Sequence, residues 1–382
     1  MIFKAKSVST LPDAELINQY VSSGDKKVLG ELFLRYSHLV YGICFKYLHN
    51  PDVGYDGVIL MTTNGGETWN YSGSLTNTFF TVSYAGSGTS VAAGEFGKLV
   101  RTTDSGNSCY SYSNGPSGLI YGLSYLNPDT GIIVGVNGSI RKTTDGGETW
   151  TNINSNTTHI LRDVYFVNLL TGYAVGATGT ILKTTDGGNN WNVQNSGVDV
   201  PLYSIFFTDE NNGITVGSDG YSGYILRTTD GGNTWVNQLY GANTLSGVYF
   251  TDPNNGFITG FNYTGGGTML RTTDGGNSWS AIPGIIDALL GISFSDANNG
   301  TAVGYRSYGG GHGIILRTTD GGNNWVSQTS GTSRQLNSVL LTDANNGTLV
   351  GDWGTVLRTT NGGNSWVSEN SGTINQLYDI YL

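Results

Sequence analysis

Ile225-Leu226-Arg227-Thr228-Thr229-Asp230-Gly231-Gly232-Asn233-Thr234-Trp235 is the stretch whose reading decides the fold. Two β-branched threonines end a strand, and an acidic side chain follows that can accept hydrogen bonds from the turn's own N–H groups. The glycines supply positive φ at little cost. Together these residues specify a pinned hairpin. Trp235 stands five residues after Asp230 on the returning strand, where a large flat side chain can cover the hairpin and fill space between sheets. The motif occurs eight times, with its Asp or Asn at Asn64, Asp104, Asp145, Asp186, Asp230, Asp274, Asp320 and Asn361. Successive spacings are 40, 41, 41, 44, 44, 46 and 41 residues. The tryptophan slot is filled by Trp69, Trp150, Trp191, Trp235, Trp279, Trp325 and Trp366, and by Cys109 in the second copy.

Between these hairpins lies a second one, seen at Val248-Tyr249-Phe250, the turn Thr251 to Gly256, and Phe257-Ile258-Thr259-Gly260. Asn-Gly between short apolar runs is a hairpin signal. Each period therefore holds four strands, the length and content of a propeller blade. The expected fold is all-β, a seven- or eight-bladed β-propeller of four-stranded blades over residues 54–382. Seven repeats are complete. The fragments Gly57–Tyr71 and Leu377–Leu382 would make a three-stranded eighth blade, whose alternative is seven closed blades with frayed extra strands. Residues 1–53 read differently: Leu16, Ile17, Tyr20 and Val21, then Leu29, Leu32, Phe33, Tyr36, Val40, Ile43, Cys44 and Tyr47, recur at helical spacing and predict two amphipathic helices.

The repeated Thr-Thr-Asp-Gly-Gly with its distal Trp resembles the Asp-box, or BNR, repeat of sialidases and sortilin-type receptors. With the first-strand pattern of Leu, two residues, Val or Ile, one residue, Phe, it is most similar to the photosystem II assembly factor propellers. The resemblance covers residues 56–382 and implies a role in photosystem II assembly. Off-repeat arginines are too few for the basic patch such factors carry. Asp13-Ala14-Glu15-Leu16-Ile17, Leu32-Phe33-Leu34-Arg35-Tyr36 and Tyr41-Gly42-Ile43-Cys44 resemble the opening of extracytoplasmic-function sigma factors. That likeness stops at Pro51-Asp52-Val53, before the helices that would melt a promoter, so it implies either a helical anchor or a truncated remnant.

Charge limits the partners. Residues 1–50 carry a net +2, leaving −12 on the rest of a chain whose total is −10. So acidic a body repels phosphate backbones, and nucleic-acid binding by the propeller is not expected. No run of about 18 apolar residues suggests a transmembrane segment, and no signal peptide is seen, so the chain as written reads as cytoplasmic although propellers of this type suggest export. Cys44 and Cys109 make no disulfide framework.

A sialidase-like enzyme would need three clustered arginines and acidic partners. Away from the boxes the propeller offers only Arg162, Arg306 and Arg334, and the family's Arg-Ile-Pro signature is absent. No catalytic residue, cofactor or metal site is assigned: His159 and His312 are isolated, and turns such as Asp209 to Gly213 read as hairpins rather than calcium loops. The connections between second and third strands lengthen at Gly217–Gly223, Gly260–Gly267 and Gly304–Gly313, opposite the boxes. In or beside them lie Tyr221, Tyr224, Phe261, Tyr263, Tyr305, Arg306, Tyr308 and His312, with Trp353 in the equivalent short loop of the last repeat. Insertions confined to one face mark a binding surface, and aromatics with Arg suit a protein partner or a glycan. The expectation is a monomeric, non-catalytic binding scaffold. A divergent sialidase-like glycoside hydrolase and a transcription-linked protein are the alternatives.

Overall fold

The computed structural model describes residues 42–45, 59–62, 66–71, 79–86, 88–105, 108–112, 118–241, 244–261, 266–306 and 312–381. They form eight four-stranded antiparallel sheets. Seven are blades of consecutive strands: blade 1 (79–112), blade 2 (120–153), blade 3 (161–194), blade 4 (202–240), blade 5 (244–281), blade 6 (288–328) and blade 7 (336–369). Blade 4 is typical, with Leu202–Phe207 innermost, then Gly213–Ser218, Gly223–Thr228 and Val236–Tyr240. The innermost strands of consecutive blades touch one another in turn, which arranges the sheets about an axis.

The eighth sheet is built from both ends of the described chain. Asp379–Tyr381 is its inner strand, followed outward by Gly42–Phe45, Ile59–Thr62 and Asn70–Tyr71. It adjoins the inner strands of blades 7 and 1, so it closes the ring. The expected three-stranded closure is thereby corrected to four strands. The added strand, Gly42–Phe45, comes from the stretch read as helical. Ile43-Cys44-Phe45 is a continuous apolar run, which periodicity alone does not separate from a buried strand. Pairing with Asp379–Tyr381 on one side and Ile59–Thr62 on the other removes two open sheet edges, a gain that an isolated helix cannot offer. The remainder of the helical reading, and Asn64, lie outside the described residues.

Blades pack through their apolar faces. Trp191, 1% exposed, joins Ile132 and Val134 of blade 2 to Leu161, Val164 and Leu182 of its own blade. Its ring meets Phe166 edge-on at 6.0 Å, and Trp235 on Phe207, Trp279 on Phe250 and Trp150 on Tyr125 repeat the arrangement. Edge-to-face geometry is the favoured contact of two quadrupoles. Where Cys109 replaces Trp, it packs against Phe79, Val82, Ala92 and Val100 of blade 1.

The basic residue ahead of Thr-Thr has a purpose that the sequence left open: it fastens each blade to the next. Arg101 Nε donates to the Gly146 carbonyl at 2.6 Å, Lys183 Nζ to Gly231 at 2.6 Å, Arg227 to Gly275 at 3.0 Å, Arg271 to Gly321 at 3.1 Å and Arg317 to Gly362 at 2.7 Å. Each acceptor is the first glycine of the neighbouring box, held left-handed at φ between 67° and 71° so that its carbonyl turns toward the preceding blade. Lys142 reaches Asn189 instead, and Arg358 pairs with Glu67 of the closing sheet at 3.5 Å. Met61 occupies this slot in the closing sheet. Arg271→Met should therefore cost about 1–2 kcal/mol, the worth of one charge-assisted hydrogen bond, measured as a lower urea midpoint. An unchanged midpoint would mean that the latch is ornamental.

Candidate functional site

Two faces follow from the hydrogen bonds of the turns. On one, the residue after the box Asp or Asn of each of the seven blades donates its N–H to the turn between first and second strands of the same blade, as Gly231 does to Asn211 at 2.9 Å, Gly275 to Asn254 at 3.0 Å and Ser105 to Gly88 at 2.9 Å. On the other, the turn between second and third strands meets the connection to the next blade, as Gly179 does with Val200 at 2.7 Å. The lengthened loops belong to this second face.

The box side chains work locally. Asp274 accepts from Thr272 Oγ1 at 2.8 Å, from the Ser278 N–H at 3.0 Å and from Ser278 Oγ at 2.6 Å, while Thr272 Oγ1 accepts from the Gly276 N–H at 2.9 Å. The Ser278 hydroxyl and then its N–H hold this carboxyl down to about 2. Asp104, Asp145, Asp186, Asp230 and Asp320 likewise accept from the threonine hydroxyl two residues before and the N–H four residues after, with Asn190 and Asn324 Nδ2 replacing the hydroxyl at Asp186 and Asp320. Asn361 makes it as an amide, donating from Nδ2 to Ser365 Oγ at 2.9 Å. A depressed carboxyl stabilises the fold above its unfolded value of about 4, and that contribution disappears as pH falls toward 2. Asp274→Asn should then leave neutral stability within about 0.5 kcal/mol and remove this copy's acid sensitivity, whereas Asp274→Ala should cost about 1 kcal/mol. Thermal melts at pH 7 and pH 3 check both, and equal acid sensitivity in wild type and Asp274→Asn would refute the assignment.

Asp209, Asp252, Asp296 and Asp343 do comparable work in the turns between first and second strands. Asp209 accepts from the Asn211 and Asn212 N–H groups at 2.8 and 2.9 Å and from Asn212 Nδ2 at 2.9 Å, so its oxygens serve the hairpin. Among the described residues no group of three His, Cys, Asp or Glu side chains is placed to hold a metal ion.

On the loop face the candidate residues fall into separate groups. Tyr221, 82% exposed, caps a turn whose Asp219 accepts its N–H at 2.7 Å. Tyr224 donates its hydroxyl to the same carboxylate at 3.2 Å while its ring packs on the core of blades 3 and 4. Phe261 is half-buried at the end of its strand. Tyr305 and Arg306 lie on one strand of blade 6, and Arg306 pairs across to His312 in register. Arg306 donates to both oxygens of Asp287 at 2.9 Å each. Trp353 is 56% exposed and lies over the Arg334 guanidinium, 4.3 Å from ring centroid to Cζ. Tyr263 and Tyr308 fall outside the described residues.

Two features escaped the sequence reading. Trp353 and Phe96 occupy equivalent turns in blades 7 and 1 at φ 59° and 51°, and Phe96 is 72% exposed. Left-handed backbone is disfavoured for bulky residues, and Asn137 in the same slot of blade 2 is the cheaper choice. The second feature is a β-bulge near the start of the inner strand in every one of the seven blades, where the register skips one residue: Phe80, Tyr121, Arg162, Tyr203, Ser246, Leu290 and Asn337. Their identities vary too much from copy to copy for a repeat alignment to single them out.

Four-stranded sheets arranged about an axis, each pinned by a Thr-Thr-Asp hairpin and latched to the next by a basic residue, define an Asp-box propeller. The chain belongs to the family described as "Photosynthesis system II assembly factor YCF48", whose model matches residues 149–238 and 236–377, more than half of its length. A solved structure of YCF48 bound to a D1 peptide is similar at 19% identity, over 75% of this chain and 92% of that one, with a TM-score of 0.58. YCF48 from Cyanidioschyzon merolae is similar at 18% identity, over 76% and 97%, with a TM-score of 0.57. An ancestral GH74 enzyme is similar at 16% identity, over 85% and 54%, with a TM-score of 0.50. At these identities the structures share the fold alone. The curated proteins yield no match.

Proposed function

We propose that this propeller is a non-catalytic scaffold that binds a polypeptide partner through the face opposite the Asp boxes. The observation that carries the reading is Trp353, more than half exposed on a left-handed backbone. Both its apolar exposure and its conformation are unfavourable for the free chain, and burial against a partner would offset them. The neighbouring Arg334, aligned under the ring, adds the cation–π character common at interface anchors. The YCF48 structure bound to a D1 peptide gives a precedent for a polypeptide ligand on a propeller of this family.

The off-box arginines support the absence of catalysis. Arg306 is engaged by Asp287, Arg334 by Trp353, and Arg162 by two tyrosines, so the three have separate partners rather than one shared substrate carboxylate. A photo-crosslinking residue placed at Tyr221, Tyr305 or Trp353 in the native cell should capture a discrete polypeptide, and one at box-face Thr234 should not. Crosslinks confined to Thr234, or hydrolysis of a glycan by the purified chain, would reverse the proposal.

A further inference from the structure

The bulge residues of the inner strands are not equivalent around the ring. Running from blade 1 to blade 4 they are Phe80, Tyr121, Arg162 and Tyr203, whereas blades 5 to 7 carry Ser246, Leu290 and Asn337. One half of the ring therefore presents an aromatic wall with a single cation. A bulge turns its extra residue away from the alternation of the strand. The residue before each bulge in this wall, Phe79, Ile120, Leu161 or Leu202, is buried in a blade core, while the bulge residues themselves remain half-buried and bridge from blade to blade. Phe80 and Tyr121 have ring centroids 5.5 Å apart. The Arg162 guanidinium lies 5.7 Å from the Tyr121 ring and 5.2 Å from the Tyr203 ring, so tyrosines of the blades on either side flank it.

These side chains stand at the loop-face end of the inner ring. Leu161, just before Arg162, pairs with Gly176, the last residue of the second strand before the turn on that face. Among the described residues Arg162 has no carboxylate partner and its buried Nε–H has no acceptor. The adjacent Asp163 is engaged elsewhere: its oxygens accept the Val164 N–H at 2.8 Å and the Ile205 N–H at 3.0 Å. Arg306, by contrast, has a bidentate carboxylate. A guanidinium flanked by rings keeps its N–H edge for a planar anion, and rings on both sides shed water from that contact.

We infer that Arg162, between Tyr121 and Tyr203, receives a carboxylate of the bound polypeptide at the loop-face mouth of the propeller axis. This rests on the polypeptide-binding reading above and names the chemical group that the partner must bring. The carboxylate can come from an Asp or Glu side chain or from a chain end, and the aromatic wall favours apolar or aromatic neighbours beside it.

The test passes random heptapeptide libraries over the immobilised full chain. They are made with and without Asp and Glu, and each with free or amidated C-termini. Libraries that carry a carboxylate should be retained at least tenfold more than the amidated library lacking Asp and Glu, and which of them is retained tells side chain from chain end. Arg162→Gln should abolish the difference with an unchanged thermal melt, and Arg162→Lys should keep part of it. Raising the salt from about 50 to 500 mM should weaken retention, as expected for a charge contact. Equal retention of the carboxylate-free library, no retention by wild type, or indifference to both Arg162 substitutions overturns the assignment. If Arg162→Gln is silent while crosslinks at Trp353 or Tyr305 still capture a partner, only the axial site falls and the loop-face reading stands.

Discussion

Trp191→Ala should lower stability by about 3–5 kcal/mol, among the largest effects of any single substitution in the chain. Trp191 is 1% exposed and touches apolar side chains of two blades at once, so its removal opens a cavity at an interface where neither sheet can relax without moving the other. It also removes the edge contact with Phe166 and the Nε1 hydrogen bond to the Gly188 carbonyl at 3.2 Å. Trp235 and Trp279 are only half-buried, and Nε1 of each lacks a partner among the described residues. Their alanine variants should lose less, about 2–3 kcal/mol. Urea unfolding followed by tryptophan-independent circular dichroism measures both. A loss below about 1 kcal/mol for Trp191→Ala would show that blades 2 and 3 are held together by something other than this contact.

Blade 1 has no tryptophan in this slot. With Cys109 in the tryptophan slot, its cluster centres on Phe79, Val82, Ala92 and Val100. In a repeat architecture each unit's stability adds to that of its interfaces. Blade 1 also adjoins the closing sheet, which joins the two ends of the described chain.

What the sequence revealed follows from what is periodic. The Thr-Thr-Asp hairpin recurs at near-constant spacing because its function is local: Asp274 binds Thr272 and Ser278 within its own turn, and so do its counterparts. Residues whose work is done between blades were harder to read. The basic residue before Thr-Thr was visible as a regularity, yet its acceptor lies 45 to 50 residues away for Arg101 and Arg271, beyond what local spacing can suggest. Arg162 was visible only as an off-box arginine. Its flanking tyrosines sit at the same repeat position in neighbouring blades, and nothing in one copy predicts that a bulge falls at that position. Gly42–Phe45 was misread because Tyr36, Val40, Ile43 and Tyr47 do fit a helix. An edge strand awaiting a partner outweighed that local preference.

The glycines at or near the end of the second strands show how strictly the inner ring is built. Gly176→Ala should cost about 3 kcal/mol, although Gly176 is not among the residues with left-handed backbone. The reason is proximity: an added Cβ would stand 1.9 Å from the Ile160 carbonyl oxygen, backbone against backbone. That carbonyl is fixed because it accepts the Ala177 N–H at 2.8 Å, tying the turn on the loop face to the start of the inner strand. Equivalent positions Gly135, Gly217, Gly260, Gly304 and Gly351 meet the matching carbonyl at 1.9 to 2.2 Å, so the constraint belongs to the blade and not to one copy. Gly197 in the connection after the same blade makes the control. It has φ 72° and nothing within 4 Å of its hypothetical Cβ, so Gly197→Ala should cost only the conformational penalty of about 1–2 kcal/mol. Because Gly176 pairs with Leu161, next to Arg162, displacement there should also weaken carboxylate retention, whereas Gly197→Ala should leave it intact. Urea midpoints for the two variants, read beside the heptapeptide assay, decide the matter. Equal stability losses would mean that backbone conformation, and not the close approach of strand to turn, fixes glycine at the end of the second strand.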